Sequence, residues 1–549
     1  TGSTRGTSTR PAHASAPADP RRLIRAATRL TPTRPDRKPR MPEIIAWVVS
    51  FVVVTVTVSG LAGRVGWSAP VALVAVGAAL SFVPGVPQIE IEPDAVLYGL
   101  LPPLLFAAAI RTPLADIRAR RDSIVVLSVG VVVFTLLAFG LTLWALVPAV
   151  GLAAALALGA VVAPTDAVAV SAVAGRVKLP RRVMSILETE SLLNDATALV
   201  ALNTAIAAIV GIVHPVDVAG GFLVAVLVGV AIGLAVAFLF SAVRRFLRSA
   251  VLDTSLSLAI PYVAFIPAQE LGGSGVLAVV AAGLVLGYRS PLIQSPEARI
   301  AESVNWRTIQ FLLENAVFLL IGLSLAGIVR GLPESSLDGW TIAGLSILLL
   351  AVLAAARFAS VALAKVLFDH GPARMRARTW TWRTVTAVSS AGVRGVVTLA
   401  AAFLLPAETP ERELLQFLAF VMVAGTLVGG LALPSIIRRL RLGHSADDQE
   451  RSDRDRLLDE AREAGLAARD AAMREDGGDD GPGDDALPET TAERLTHDRV
   501  RRRMIDAERV AVLAARREGR YPEIAVRAVL GMIDAEDVAL GRREADDAR

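Results

Sequence analysis

Apolar segments of about twenty residues recur between residues 44 and 438, each long enough to cross a hydrocarbon core of roughly 30 Å. Such a series points to one solvent, the lipid bilayer, and to an all-α polytopic membrane protein. The mean hydropathy of +0.55 and the 54% hydrophobic fraction agree, where a soluble chain of 549 residues reads as several domains. The chain contains no cysteine, which excludes disulfide frameworks, thiolate metal sites and thiol redox motifs. The pattern predicts about thirteen spans, with boundaries good to a few residues: 43–63, 68–84, 94–110, 123–147, 151–174, 183–211, 219–242, 252–269, 274–288, 308–329, 341–365, 384–405 and 413–437.

The connections predict the orientation. Alternate loops read "RTPLADIRARRDS", "GRVKLPRR", "RRFLRS", "YRSPLIQSPEARIAESVNWRT" and "DHGPARMRARTWTWRT", and those between them read "GVPQIEIEP", "HPVD", "GLPESSLDG" and "AETPERE". The first set holds 18 Lys and Arg and the second one, which makes the first set cytoplasmic under the positive-inside rule. The N-terminus then lies outside and the C-terminus inside, and the resemblance given below implies the plasma membrane of a bacterium.

Two polar regions flank the spans. Residues 1–42 form an Arg-, Pro- and Ser-rich arm with no apolar signal segment, read either as disordered or as sequence translated upstream of a start at Met41. Residues 441–549 read as a cytosolic helical tail, with the acidic "EDGGDDGPGDD" as a linker between stretches of helical periodicity.

Most spans carry nothing ionisable near their middle. The exceptions are "VVAPTDAVAV" with Asp166, "LETESLLNDATALVAL" with Glu188, Glu190 and Asp195, "AAARFASVALAK" with Arg357, and "SSAGVRGVVTLA" with Arg394. A carboxylate at the bilayer centre costs roughly 2.5–3.5 kcal/mol, so these residues must face protein, water or one another. Helical spacing places Ser191 with Asp195 on one face and Glu190 with Asn194 on the next. Pro164 cannot donate its backbone N–H, and Gly392 and Gly395 bracket Arg394. Two centrally interrupted helices in corresponding triplets, spans 4–6 and 11–13, are the sequence pointer to a transporter binding site built from inverted repeats.

The oxygens gathered there suit a small hard cation: the carboxylates of Asp195 and Asp166, the hydroxyls of Thr165 and Ser191, and carbonyls freed by the break. A bound cation favours the ionised carboxylate and burial favours the protonated one, so protons and cations compete for Asp195. Glu190 needs a buried cation of its own, for which Arg357 and Arg394 are both candidates. The histidines lack metal-ligand spacing, and no cofactor or nucleic-acid partner is expected.

At these residues the chain resembles the sodium/proton exchangers of cation:proton antiporter family 1 in their bacterial form. The likeness lies in "PTDAVAV", "ESLLNDATA" and "GVRG", and covers roughly residues 43–440. It implies a fold of thirteen helices with crossed interrupted helices, a core domain near 123–211 and 341–437, and dimerisation spans near 43–110 and 252–329. It also implies a homodimer working by alternating access. Asp195 would carry the ion and proton, with Asp166, Thr165 and Ser191 as ligands of the transported Na⁺ (Li⁺ being a further substrate). Asn194 would hold the site together, Glu190 would pair with Arg357, and Arg394 would be a further site-stabilising residue. The Asn-Asp pair implies one-for-one exchange. Ala167 stands where many members have proline, which leaves Pro164 to supply the break.

Rival readings are weaker. An intramembrane aspartyl protease would use two membrane aspartates as acid and base, but no Gly-x-Gly-Asp stretch is present. A channel would need a filter sequence or rings of charge. Exchange of K⁺ for H⁺ on the same fold is the serious alternative, since ligand types alone do not separate the two cations.

Overall fold

The computed structural model describes residues 2, 41–84, 86, 94–114, 126–174, 181–211, 215–247, 249–332, 337–372, 376, 380–441, 445–475 and 491–547. The arm before Met41 (Gly2 apart), the acidic linker and much of the loops used for orientation lie outside these residues. The chain divides into two units, residues 1–51 and 52–549. Of the first, the described part beyond Gly2 is the opening of helix α1, Met41–Val65.

Every regular element among the described residues is helical. After α1 come α2 (Ala69–Ser81), α3 (Leu101–Ala109, entered through a π-helical turn at Ala95–Leu100) and α4 (Val131–Leu146, entered through another at Val126–Gly130). Then follow α5 (Leu152–Val162), α6 (Ala167–Ala174), α7 (Arg181–Val210), α8 (Pro215–Arg244), α9 (Ala250–Glu270) and α10 (Gly275–Ile293). The second half holds α11 (Pro296–Leu323), α12 (Leu325–Gly331), α13 (Gly339–His370), α14 (Trp382–Ser390), α15 (Val396–Ala402), α16 (Arg412–Gly430) and α17 (Leu433–Leu440). The tail is α18 (Ser445–Glu475), α19 (Thr491–Glu518) and α20 (Glu523–Asp547).

Eight helices among the described residues are long and apolar enough to cross a membrane, and four shorter apolar helices accompany them. Capping fixes several starts: Ser249, Ser274, Ser295, Thr381 and Asp338 each accept a backbone N–H three residues on. The Ser295 cap, with Pro296 at the first helical position, starts α11 a dozen residues before the expected 308. The polar stretch expected to be loop, "SPEARIAESVNWRT", is therefore largely helix; its buried Glu302 and Trp306 face neighbouring helices.

α11 packs closely on α2. A Cβ on Gly77 would stand 2.4 Å from the Leu319 carbonyl oxygen, and one on Gly322 would stand 2.3 Å from that of Val74. The absence of both side chains lets the two backbones touch. A second packing group joins α4, α5, α7, α13 and α16, with α6, α14 and α15 set among them. At the end of α8 the side chains of Arg244, Asp253, Glu302 and Gln294 form a buried cluster linking α8, α9, α10 and α11.

Candidate functional site

Two short non-helical segments carry the site. Residues 163–166 separate α5 from α6, and residues 391–395 separate α14 from α15. Pro164 lies in the first, where a continuing helix would lack its donor. The segments cross: the Asp166 backbone N–H donates to the Val393 carbonyl at 2.9 Å. Gly395 rests on Asp166 at this crossing, where a Cβ would fall 1.9 Å from Asp166 Oδ2. Asp166 also starts α6, its Oδ1 accepting the Ala169 N–H at 3.2 Å. On the other segment, the Arg394 N–H donates to Thr426 Oγ1 of α16 at 3.1 Å.

α7 runs past the crossing and is fastened to it residue by residue. Asn194 Nδ2 donates to the Thr165 carbonyl at 3.0 Å and to Thr165 Oγ1 at 3.3 Å. The Thr165 hydroxyl donates to Glu190 Oε1 at 3.2 Å. Ser191 Oγ accepts the Ala167 N–H at 3.3 Å. These contacts satisfy backbone and side-chain groups freed by the break, as buried polar groups require.

Glu190 and Arg357 meet as a bidentate pair, Arg357 Nη2 donating to Oε2 at 2.8 Å and Nη1 to Oε1. Both side chains are buried, so each depends on the other for its charge balance. Of the two arginines open as partners of Glu190, Arg357 holds it. Arg394 is buried nearby and donates through Nη1 to the Gly392 carbonyl at 3.0 Å, which ties its own segment.

Asp195 differs from all of these. It is half-buried, one turn along α7 from Ser191, and among the described residues its carboxylate has no hydrogen-bond or ion-pair partner. It lines a small cavity with Pro164, Ala198, Leu202, Val397 and Ala401, drawn from α5, α7, α15 and the first break. Asp166 is near enough to act on it electrostatically. The buried Asn194 Oδ1 also lacks a partner. Arg357 Nε and Arg394 Nε lack partners as well, so the region holds buried polar atoms of both signs that are not fully satisfied by protein groups.

Glu188 is exposed. Glu314 of α11, which accepts from Gln310 Nε2 at 2.5 Å, also lies near enough to Asp166 to interact with it electrostatically. Among the described residues no group of three His, Asp or Glu side chains is placed to hold a resident metal ion. Sequence reasoning missed Thr426, and also Ser128, whose hydroxyl donates to the Glu190 carbonyl at 3.4 Å. A lone serine or threonine in an apolar span carries no signal that separates these from hydroxyls bonded to their own helix.

Comparison with known proteins identifies the family and the fold. The transmembrane sodium/hydrogen exchanger family matches residues 48–439. An uncharacterised Na⁺/H⁺ exchanger of Mycobacterium tuberculosis is 32% identical over 90% of this chain and 95% of its own. A sodium, potassium, lithium and rubidium/H⁺ antiporter of Bacillus subtilis is 33% identical over 69% of this chain and 59% of its own. The solved sodium proton antiporter MjNhaP1 of Methanocaldococcus jannaschii superposes with a TM-score of 0.56 at 16% identity, covering 72% of this chain and 98% of that one, a likeness of fold. With its interrupted helices crossed beside an unpaired aspartate, the chain belongs to the sodium/hydrogen exchanger family and is a secondary transporter rather than an enzyme.

Proposed function

We propose that the chain exchanges Na⁺ for H⁺ across the plasma membrane of a bacterium, with Asp195 as the group that carries either ion. The observation that carries this reading is the unpaired Asp195 carboxylate in a cavity beside the crossed breaks. An ionised carboxylate without a protein partner accepts a cation or a proton, and holding one displaces the other. Asp166, Ser191 and Thr165 lie within the same framework and supply further oxygens for the metal ion. Asn194 and the Glu190–Arg357 pair hold α7 to the first break, and Arg394 stiffens the second.

Alternation of the site between the two sides requires one group of helices to shift against another. The packing supports α4–α7 and α13–α16 as the moving core, with α2, α3 and α9–α11 as the scaffold. We infer a homodimer held through scaffold helices within lipid, with the basic loops and the tail in the cytoplasm. Asn194 beside Asp195 leaves one titratable group at that turn, which supports one-for-one exchange.

Exchange of K⁺ for H⁺ is the second reading, favoured by the breadth of cations in the name of the Bacillus relative. Dequenching of a pH-sensitive dye in everted vesicles on adding Na⁺, Li⁺ or K⁺ separates them. A response to Na⁺ and Li⁺ alone supports the first reading, and an equal K⁺ response supports the second. No response to any alkali cation removes both.

A further inference from the structure

Two polar lines run toward the crossing on different helices. On α7, Glu188, Ser191 and Asp195 are three and four residues apart and share a face, Glu188 exposed and the other two half-buried. On α11, Arg307, Gln310 and Glu314 repeat that spacing and lead from an exposed arginine to a half-buried carboxylate. Arg111, just past the end of α3, is close enough to Glu188 and Glu314 to attract both, and to Arg307 to repel it. It is tied to its own helix, Nε donating to the Ala107 carbonyl at 3.0 Å. α3 packs on both α7 and α11, and α11 also touches α15, which lines the Asp195 cavity.

The inner end of the α11 line carries an unused oxygen. Gln310 is 6% exposed and its Nε2 donates to Glu314 Oε1 at 2.5 Å, while among the described residues its own Oε1 has no partner. A buried amide oxygen left bare is costly, so its presence calls for an occupant. Amide nitrogen and oxygen are nearly alike in shape, and a half-turn of the Gln310 head exchanges them at little steric cost. Oε1 then lies beside Glu314, and a cation between the two oxygens replaces the hydrogen bond given up. One carboxylate and one amide oxygen suit a hard cation that keeps part of its water. Asp166 is near enough to Glu314 to add its own negative charge.

We propose that Glu314 and Gln310 form a second cation station, outside the Asp195 centre, where an alkali cation pauses on its way to Asp195. This rests on the reading above, in which Asp195 is the carrier. The station stands on a scaffold helix and Asp195 on the moving core, so the ion is handed from one body to the other. Glu188 and Glu314 raise the local cation concentration along the path. Arg111 opposes a cation held at Glu314, which keeps the station shallow and quick to release. The station therefore governs how readily the carrier fills, while the movement of the core governs the maximal rate.

The test uses the full chain in proteoliposomes, with Na⁺ as the probe. Glu314→Gln should raise the KM for Na⁺ roughly five- to tenfold and lower the maximal rate much less, the pattern of lost ground-state binding. Glu314→Asp keeps the carboxylate and should recover most of that affinity. Gln310→Met keeps the volume and removes Oε1, so KM should rise by a smaller factor; it serves if Glu314→Gln fails to insert. Glu297→Gln removes an exposed carboxylate from the start of the same helix, where salt screens it, and should leave KM unchanged. Direct binding separates the station from the carrier. Purified Asp195→Asn should still broaden the sodium NMR line of added NaCl, and Glu314→Gln on that background should remove the excess. Inserted Glu314→Gln with the parent KM, a KM shift matched by Glu297→Gln, or unaltered broadening in the double variant overturns the station. If the parent chain moves no alkali cation, the proposed function falls, and the broadening alone decides the station.

Discussion

Among the described residues, the buried ionic cluster at the end of α8 and the one at the crossing are built to opposite ends. At the end of α8, Arg244 pairs with Asp253 at 3.0 Å and with Glu302, while Gln294 donates to both carboxylates at 2.6 and 3.0 Å. Trp306 beside it donates to Ser257 Oγ at 3.1 Å. Each charge there has a protein partner, and the cluster joins four helices. At the crossing, Glu190 and Arg357 are equally engaged, but one turn further along α7 Asp195 has no partner among the described residues. Burial of charge by itself is common to both clusters; what separates them is a carboxylate with no partner among the described residues, which the proposed function takes as the ion carrier.

The largest expected effect breaks that contrast directly. Asp195→Asn keeps the shape and removes the titratable group, so cation-driven proton movement should vanish while the protein still inserts. A full dye response from this variant would remove Asp195 as the carrier. Next come the paired charges. Removing one partner of a buried pair typically costs 3–5 kcal/mol, so Glu190→Ala and Glu302→Ala should both reduce the amount of folded protein. Molecules of Glu302→Ala that do fold should exchange normally, measured per molecule in proteoliposomes. A well-folded but inactive Glu190→Ala would instead place that residue in the ion path.

A smaller effect tests the crossing itself. Gly395→Ala forces a methyl group onto Asp166, so the carboxylate or the segment must shift. Exchange should fall roughly ten- to hundredfold with the cation affinity also weakened, since misplacement of about 1 Å has costs of that order. Unchanged kinetics would mean that the segments part freely during the cycle.

The smallest effect lies in the tail, where α18, α19 and α20 share a buried core. Burial pushes the Glu508 carboxyl above the usual glutamate range, with Glu536 adding to the shift and Arg501 and Arg462 opposing it. A raised carboxyl favours the protonated form in the folded bundle. Its contribution to stability is present below the unfolded glutamate range and lost as pH rises through the folded value. Hydrogen exchange in α19 and α20 of the intact protein should therefore quicken as pH rises beyond what the chemistry of exchange requires. Glu508→Gln should flatten that excess. An excess equal in both proteins would place the titration elsewhere.

Much of this architecture was legible in the sequence. Hydropathy of segment length located the apolar helices, and Pro164, Gly392 and Gly395 located the two interruptions, because each acts on the backbone locally. The start of α11 was not legible. "SPEARIAESVNWRT" is polar enough to read as loop, and only the partners of Glu302 and Trp306 explain why it is helical and buried. Motif spacing brought Glu190, Ser191, Asn194 and Asp195 onto adjoining faces, but helical spacing alone left two arginines open as the partner of Glu190, and only the family resemblance favoured Arg357. That choice depends on how α13 and the segment 391–395 pack, which no local pattern encodes. The anchoring of the tail was equally invisible, since Arg299, which holds Asp534, Arg516, which donates to the Tyr288 carbonyl, and Arg527, which donates to the Arg111 carbonyl, look like any arginines on polar helices.

The bond from the Asp166 amide to the Val393 carbonyl is made by main-chain atoms on both sides. No exchange of side chains can delete it, short of proline at position 166. Random substitution can therefore wander through the neighbouring positions, adjusting which ion fits and how fast, while the junction survives beneath. A scaffold pinned in this manner is open to evolutionary retuning, and directed changes of ion preference are best aimed at the cavity wall around Leu202 and Val397.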